Sequence, residues 1–196
     1  MVIYGDIVKS TVDGPGTRAV IHMAGCSIGC PGCFNSHMWN QQKGRMITSS
    51  ELLREKLLLD CDGVTISGGE PTDQLSELID FLRLLKTAKQ DSIILYSGRT
   101  LSWLRKNTNG LWNLVEKEEL VSILIDGAFK RSRLETSWQR GSTNQRIIPI
   151  TNRHTVNEFQ YHGFELTMQQ DGTILVLGFP DKKALETLEA LGDETD

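Results

Sequence analysis

The sequence has no apolar run long enough to cross a bilayer. Its longest, such as Ser92 to Tyr96 and Val121 to Ile125, fall far short of the ~20 residues that a membrane helix needs. The start, Met1-Val2-Ile3-Tyr4-Gly5-Asp6, lacks the basic segment and apolar stretch of a secretory signal, so the expected compartment is a reducing cytoplasm. Positive charge is not in excess: 21 Lys and Arg stand against 25 Asp and Glu, a net charge of −4. Nucleic acid is therefore disfavoured as a partner, because its sequence-independent grip depends on clustered cations. Cysteines number only four in 196 residues, too few for a disulfide scaffold. A chain of this length buries roughly 70% of its unfolded surface and needs no such staples. Repeats, low-complexity segments and Pro-rich or Ser-rich linkers are also missing, which leaves a single globular unit.

What is present is an alternation of apolar strands with amphipathic helices, the order of an α/β fold with a mainly parallel sheet. Thr17 to Ala24 reads as the first long strand. A loop to about Gly44, rich in Cys, Gly, Asn and Trp, follows it. Thr48-Ser49-Ser50-Glu51 has capping-box spacing and opens a helix with Leu52, Leu53, Lys56 and Leu57 on one stripe. Strands are expected at Gly63 to Ser67, Ser92 to Tyr96 and Leu120 to Ile125, with helices at Thr72 to Thr87 and within Leu101 to Glu118. Arg146 to Ile150 adds a further strand. Beyond it, Phe164 to Gln169 and Thr173 to Leu177 alternate around Gln170-Asp171-Gly172, a hairpin signal, before a closing helix at Asp181 to Leu191. The expected organisation is a core of residues 1–150 and a C-terminal hairpin-plus-helix extension, 151–196, packed on it.

Three cysteines, Cys26, Cys30 and Cys33, form a C-x3-C-x2-C spacing among Gly25, Gly29, Pro31 and Gly32. Small residues between thiolates let the backbone wrap a metal centre and aim its amides at sulfur. Three ligands on a four-iron cubane leave one iron open to a small molecule. Structural zinc is the competing reading, because Cys33-x3-His37 would complete a Cys3His tetrahedron. Cys61 reads as a partly buried free thiol.

Four unusual segments each follow a predicted strand: the cysteine loop, Ser67-Gly68-Gly69-Glu70-Pro71, Ser97-Gly98-Arg99 and Asp126-Gly127. Carboxyl ends of parallel strands share one face, where ligands bind. Gly68-Gly69 would let backbone approach a ligand closely, or would be an ordinary strand-to-helix turn. Asp126 reads either as a helix cap or as an acceptor for a ligand hydroxyl or ammonium. The histidines His22, His37, His154 and His162 have no catalytic spacing, and the tryptophans default to packing, although Trp39 beside the cysteine loop could shield it. Lys130-Arg131-Ser132-Arg133 reads as a solvated turn.

The three-cysteine loop with Gly68-Gly69-Glu70-Pro71 resembles the radical S-adenosylmethionine (SAM) superfamily. Asp13-Gly14-Pro15-Gly16-Thr17-Arg18 and Cys30-Pro31-Gly32-Cys33-Phe34-Asn35 are similar to the glycyl-radical-enzyme activases. Trp138-Gln139-Arg140-Gly141-Ser142-Thr143-Asn144-Gln145, after Asp126-Gly127-Ala128-Phe129, resembles the closing motif of those serving anaerobic ribonucleotide reductase. Gly32 stands where many superfamily members carry an aromatic residue. The resemblance runs from about Asp6 to Ile148 and implies a partial, open β/α barrel. It implies a [4Fe-4S] cluster on Cys26, Cys30 and Cys33, with SAM chelating the fourth iron. Gly68, Gly69, Glu70 and Pro71 would meet the methionine amino group, backbone around Gly32, Cys33 and Phe34 the adenine, and Ser97 and Asp126 the SAM carboxylate and ribose. The implied reaction makes a 5'-deoxyadenosyl radical that abstracts hydrogen from a glycine of a partner enzyme. Electrons would come from a reductant such as flavodoxin, and the Asp13 to Gly16 turn would lie where the partner's glycine loop enters.

Overall fold

The computed structural model describes residues 2–193 apart from 58, 136, 161–162 and 169–173. Its centre is one seven-stranded sheet. Strands β1 (Val2–Ser10), β2 (Arg18–Met23), β3 (Arg45–Ile47), β4 (Gly63–Gly68), β5 (Ile93–Ser97), β6 (Ile123–Asp126) and β7 (Arg146–Pro149) lie in the order β3-β1-β2-β4-β5-β6-β7. The middle four, β2, β4, β5 and β6, run parallel, and β1, β3 and β7 are antiparallel to their neighbours. The parallel middle agrees with the strand and helix alternation. The edges do not follow from it: β1 and β3 were not expected, and β1 adds a long antiparallel partner to β2.

Helices α1 (Ser49–Leu57), α2 (Leu75–Thr87), α3 (Leu101–Asn107) and α4 (Leu111–Lys117) supply the crossovers between these strands. The α1 capping box is formed: Thr48 N–H donates to Glu51 at 2.9 Å, and Glu51 N–H donates back to Thr48 Oγ1 at 3.2 Å. Of its expected stripe, Leu52 and Lys56 are buried, but Leu57 is 49% exposed. In α2, Leu75, Leu78, Ile79, Phe81, Leu82 and Leu85 are all buried, as a helix laid along a sheet requires.

The central strands are covered on both faces, which explains their unbroken apolar runs. Ile93, Leu95 and Leu124 belong to the main core with the helices, whereas Ile94, Ile123 and Ile125 meet Phe159, Trp138 and Ile147 on the other side. Phe159 is fully buried, and its carbonyl accepts from Gln139 N–H at 2.8 Å. The segment just after residue 150 is thus part of the core. Beyond it, β8 (Phe164–Met168) and β9 (Ile174–Gly178) pair antiparallel, and α5 (Lys182–Asp193) follows. The expected turn at Gln170-Asp171-Gly172 lies outside the described residues, as does His162.

Arg18, at the start of β2, is completely buried. Its guanidinium donates to Val64 O at 2.6 Å, to Ser92 O at 3.0 Å and Ser92 Oγ at 2.5 Å, and to Thr65 Oγ1 at 3.1 Å. A contact to Pro15 O at 3.4 Å ties in the preceding glycine turn. Burial pushes its pKa down to about 10, so it stays charged at neutral pH. Its partners are neutral acceptors, and two of them also have other partners: Ser92 O accepts from Val64 N–H at 2.9 Å, and Ser92 Oγ lies 2.7 Å from His154 Nε2. Arg18→Met keeps much of the stem and removes the guanidinium's donors from this buried set, and the expected loss is about 3 kcal/mol in urea unfolding. A loss below about 1 kcal/mol would mean that water replaces the guanidinium there.

Candidate functional site

The site is assembled where β2, β4, β5 and β6 end. After β2 the chain turns at Gly25 and closes a loop on itself: Gly25 N–H donates to Met38 O at 2.8 Å and Cys26 N–H to Trp39 O at 3.2 Å. Within it, Cys33 N–H donates to Cys30 O at 3.1 Å. The loop is pinned from outside by Asp73, which accepts from Ser27 N–H at 2.7 Å and from Ser27 Oγ at 2.8 Å. Arg99, stacked on Trp103 at 3.9 Å, joins the same pair.

The diglycine after β4 has a definite job. Gly69 N–H donates to Met23 O and Glu70 N–H to Gly25 O, both at 2.8 Å. A Cβ on Gly69 would fall 2.1 Å from the Gly25 carbonyl oxygen. Gly68 adopts φ +96°, and a Cβ there would meet Met23 backbone at 2.6 Å. The close approach required of these glycines is therefore one between two segments of this chain.

Glu70 is 1% exposed and caps the short turn Pro71–Gln74. One carboxylate oxygen accepts from Thr72 N–H at 3.0 Å, Thr72 Oγ1 at 2.5 Å and Ser97 Oγ at 2.9 Å. The other accepts from Gly98 N–H at 2.8 Å. Burial raises its pKa and these donors pull it back. Pro71 sits at the first position of the turn, where a missing N–H costs nothing. Ser97 is 3% exposed, and its Oγ also accepts from Arg99 N–H at 3.0 Å. Asp126 accepts from Leu101 N–H at 2.6 Å, at the start of α3, and pairs with Arg146 through Nε at 2.8 Å and through Nη2. Of its two sequence readings, the helix-end role is the one formed by these contacts.

These segments line an open cavity, with about 960 Å³ of empty space when its mouth is included. Cys26, Cys30, Cys33, Phe34, Gly68, Gly69, Glu70 and Ser97 line it, and Asp126 does not. Gly32 and Phe34 line an adjoining groove, and Phe34 packs on Phe129 at 5.0 Å between centroids. The Trp138 to Gln145 motif acts as a clasp: Asn144 Nδ2 donates to Ala128 O at 2.8 Å, Gln145 Nε2 to Gly127 O at 2.9 Å, and Lys130 N–H to Ser142 Oγ at 3.1 Å.

Two further polar groups stand in the wall: Asp13, of the turn expected at the partner's entry, and His22, which carries no sequence signal of its own. His22 faces the cavity and bonds through Nδ1 to Asp6 at 2.5 Å, a cross-strand pair of β1 and β2. The pairing becomes visible only once β1 is recognised. Asp13 also lines the cavity, where burial raises its pKa and Ser10 Oγ donates to it at 2.7 Å. His154 is spent on Ser92 at 2.7 Å and Glu158 at 2.8 Å.

The three cysteines are free thiols. Burial raises the pKa of both Cys30 and Cys33, against backbone N–H donation from Phe129 and Asn35 respectively. Sulfurs desolvated yet supplied with donors suit thiolates whose charge a metal centre neutralises. The indole N–H of Trp39 is buried in the same wall and makes no hydrogen bond. Among the described residues no three or more of His, Cys, Asp and Glu are placed to hold a single metal ion, and His37 lies outside the cavity lining. Zinc would need His37 as its fourth ligand, and the structure does not place His37 on the wall that the three cysteines share.

A family model described as a 4Fe-4S single cluster domain matches residues 12–148. The chain is 30% identical over 151 residues to an anaerobic ribonucleoside-triphosphate reductase-activating protein of Vibrio cholerae, covering 71% of this chain and 92% of that one. It is 28% identical to the protein of that name from Enterobacteria phage T4, over 69% of this chain and 86% of that one. A pyruvate formate-lyase-activating enzyme of Clostridium pasteurianum is 42% identical over 81 residues, which is 38% of this chain and 34% of that enzyme.

Because Gly69 has no room for a methyl group, Gly69→Ala is expected to lift the cysteine loop off β4. The overpacking should cost about 1–3 kcal/mol, read by thermal unfolding, and should speed reaction of the loop thiols with a disulfide reagent. Unchanged thiol reactivity would show that the loop holds without this contact.

Proposed function

As the chain belongs to the 4Fe-4S single cluster domain family, and with it to the radical SAM activases, we propose that it generates a glycyl radical on a partner enzyme. The observation that carries the reading is three unpaired cysteines facing one cavity at the carboxyl ends of parallel strands. Cys26, Cys30 and Cys33 would hold a [4Fe-4S] cluster and leave one iron for SAM. Held there, cluster and SAM would supply one-electron chemistry, driven by an external reductant, for removing a hydrogen atom from a glycine Cα.

The chain's own part is binding and exclusion. Gly68 to Pro71 offer backbone to the methionine end of SAM, with Glu70 shaping that turn from behind. Backbone at Gly32, Cys33 and Phe34, with Phe129 alongside, suits an adenine ring. Ser97 lies at the carboxylate end, and Asp126 serves the ribose side indirectly, by fixing α3 and Arg146. No acid–base pair is needed, and water is kept from the reacting atoms once the partner fills the cavity's open mouth.

An anaerobic ribonucleotide reductase is the partner best supported, since the relatives named for it are matched over most of their length and the other activating enzyme over a third. The sheet is proposed to act as a partial, open barrel, with one side left for the partner's glycine loop. The electron donor is proposed to be flavodoxin-like and the compartment cytoplasmic; among the described residues no helix is long and apolar enough to cross a membrane. Residues 1–150 are proposed as the catalytic core and 151–196 as an extension packed on it, anchored through Phe159, whose hairpin and helix dock the partner. In support, Val176 to Phe179 line the cavity, while Leu166, Met168, Ile174 and Val176 expose one apolar face of the β8–β9 ribbon.

Anaerobic reconstitution with iron and sulfide, then dithionite, is expected to yield 5'-deoxyadenosine from SAM by chromatography, and Cys30→Ala to abolish it. Zinc retained in place of iron, with no product, would overturn the reading. Removing residues after Gln160, which leaves Phe159 in the core, should keep SAM cleavage and abolish the glycyl radical signal of a co-expressed reductase. Undiminished activation would refute the docking role.

A further inference from the structure

Trp39 is held at the cysteine loop by its main chain. Its carbonyl accepts from Cys26 N–H at 3.2 Å and its own N–H donates to Ser36 O at 3.1 Å. Its ring stands in the cavity wall with all three cysteines. The indole N–H is buried and makes no hydrogen bond, a costly state when nothing relieves it. It meets no sulfur in full hydrogen-bonding geometry either, and the sulfur it approaches in the wall is that of Cys33.

We propose that Trp39 is a positioning residue acting through Cys33: with Cys33 on iron, the indole N–H donates to the thiolate sulfur and raises the reduction potential of the cluster. The proposal rests on the activase reading above. The physical reason is that reduction adds negative charge, which spreads onto the ligating sulfurs, so a donor there stabilises the reduced form more than the oxidised one. Cys30 and Cys33 also receive backbone N–H groups, from Phe129 and Asn35. Those cannot be removed by changing a side chain. Trp39 is the side-chain donor assigned to these sulfurs among the described residues, so one substitution isolates its contribution. A tryptophan that merely shielded the site would act through ring area, and Phe would largely replace it.

The experiment compares reconstituted wild type, Trp39→Phe, and a protein in which Trp39 is replaced by benzothienylalanine, which keeps the bicyclic shape and loses only the N–H. The readout is the midpoint potential from an anaerobic redox titration followed by electron paramagnetic resonance at matched iron content. Both replacements are expected to lower the reduced-to-oxidised ratio about tenfold at a fixed donor potential, about 59 mV for one electron. If Trp39→Phe loses its iron, the benzothienylalanine protein decides. Unchanged potential in that protein overturns the proposal, as does a fall confined to Trp39→Phe, which would assign the effect to ring packing. Wild type that takes up zinc and no iron removes the activase reading and this inference with it, an outcome distinct from a cluster that forms and keeps its potential.

Discussion

The site depends on one backbone crossing. The Gly25 carbonyl lies against Gly69 so closely that a single methyl group would collide with it, and the next amide, Glu70 N–H, donates to that same carbonyl. This contact joins a loop with few internal bonds to the end of a central strand. A loop held only by its own turns would sample many sulfur arrangements, and ordering it would cost about 1–2 kcal/mol per residue. Borrowing order from the sheet removes much of that cost before any ligand arrives. The alternation of β2, β4, β5 and β6 matters functionally because it delivers four chain ends to this junction.

Glu70 extends the junction sideways. A carboxylate with 1% exposure is normally destabilising, but here four donors from Thr72, Ser97 and Gly98 surround it. Those donors belong to the turn after β4 and to the end of β5, so one buried charge fixes two strand ends relative to each other. Asp126 does the same work one strand along, joining β6 to the start of α3 and to β7 through Arg146. The polar residues at these strand ends are thus largely occupied by the chain itself. What they present to the cavity is positioned backbone and sulfur.

That division explains what the sequence disclosed. The cysteine spacing, the diglycine and the parallel order were legible because each is local: a loop composition, a turn, a hydrophobic period. The α1 cap was equally plain at Thr48 and Glu51. Strand β1 was not, since Gly5 and Asp6 break its apolar alternation and a register shift falls between Tyr4 and Asp6. Its strand character comes from pairing with β2, which no local pattern records. The Asp6–His22 pair was hidden for the same reason. Asp126 could be read two ways because a carboxylate after a strand looks alike whether its donor is a helix end or a ligand; only the position of Leu101 and Arg146 distinguishes them.

The wall also holds Asp13, on the glycine turn before β2 and bonded to Ser10, and His22, paired with Asp6, together with Val176 to Phe179 of the β8–β9 ribbon. A short polar edge beside an apolar ribbon is poorly suited to a small rigid substrate, which would need its own hydrogen-bonding groups matched on every side. It suits an extended polypeptide better, whose peptide groups bring donors and acceptors and whose side chains can lie on the exposed apolar face. The cysteine end of the cavity is tightly specified and the ribbon end is open. On the proposed reading, the cofactors occupy the part that the sheet makes rigid, and the partner fills the part left unfinished.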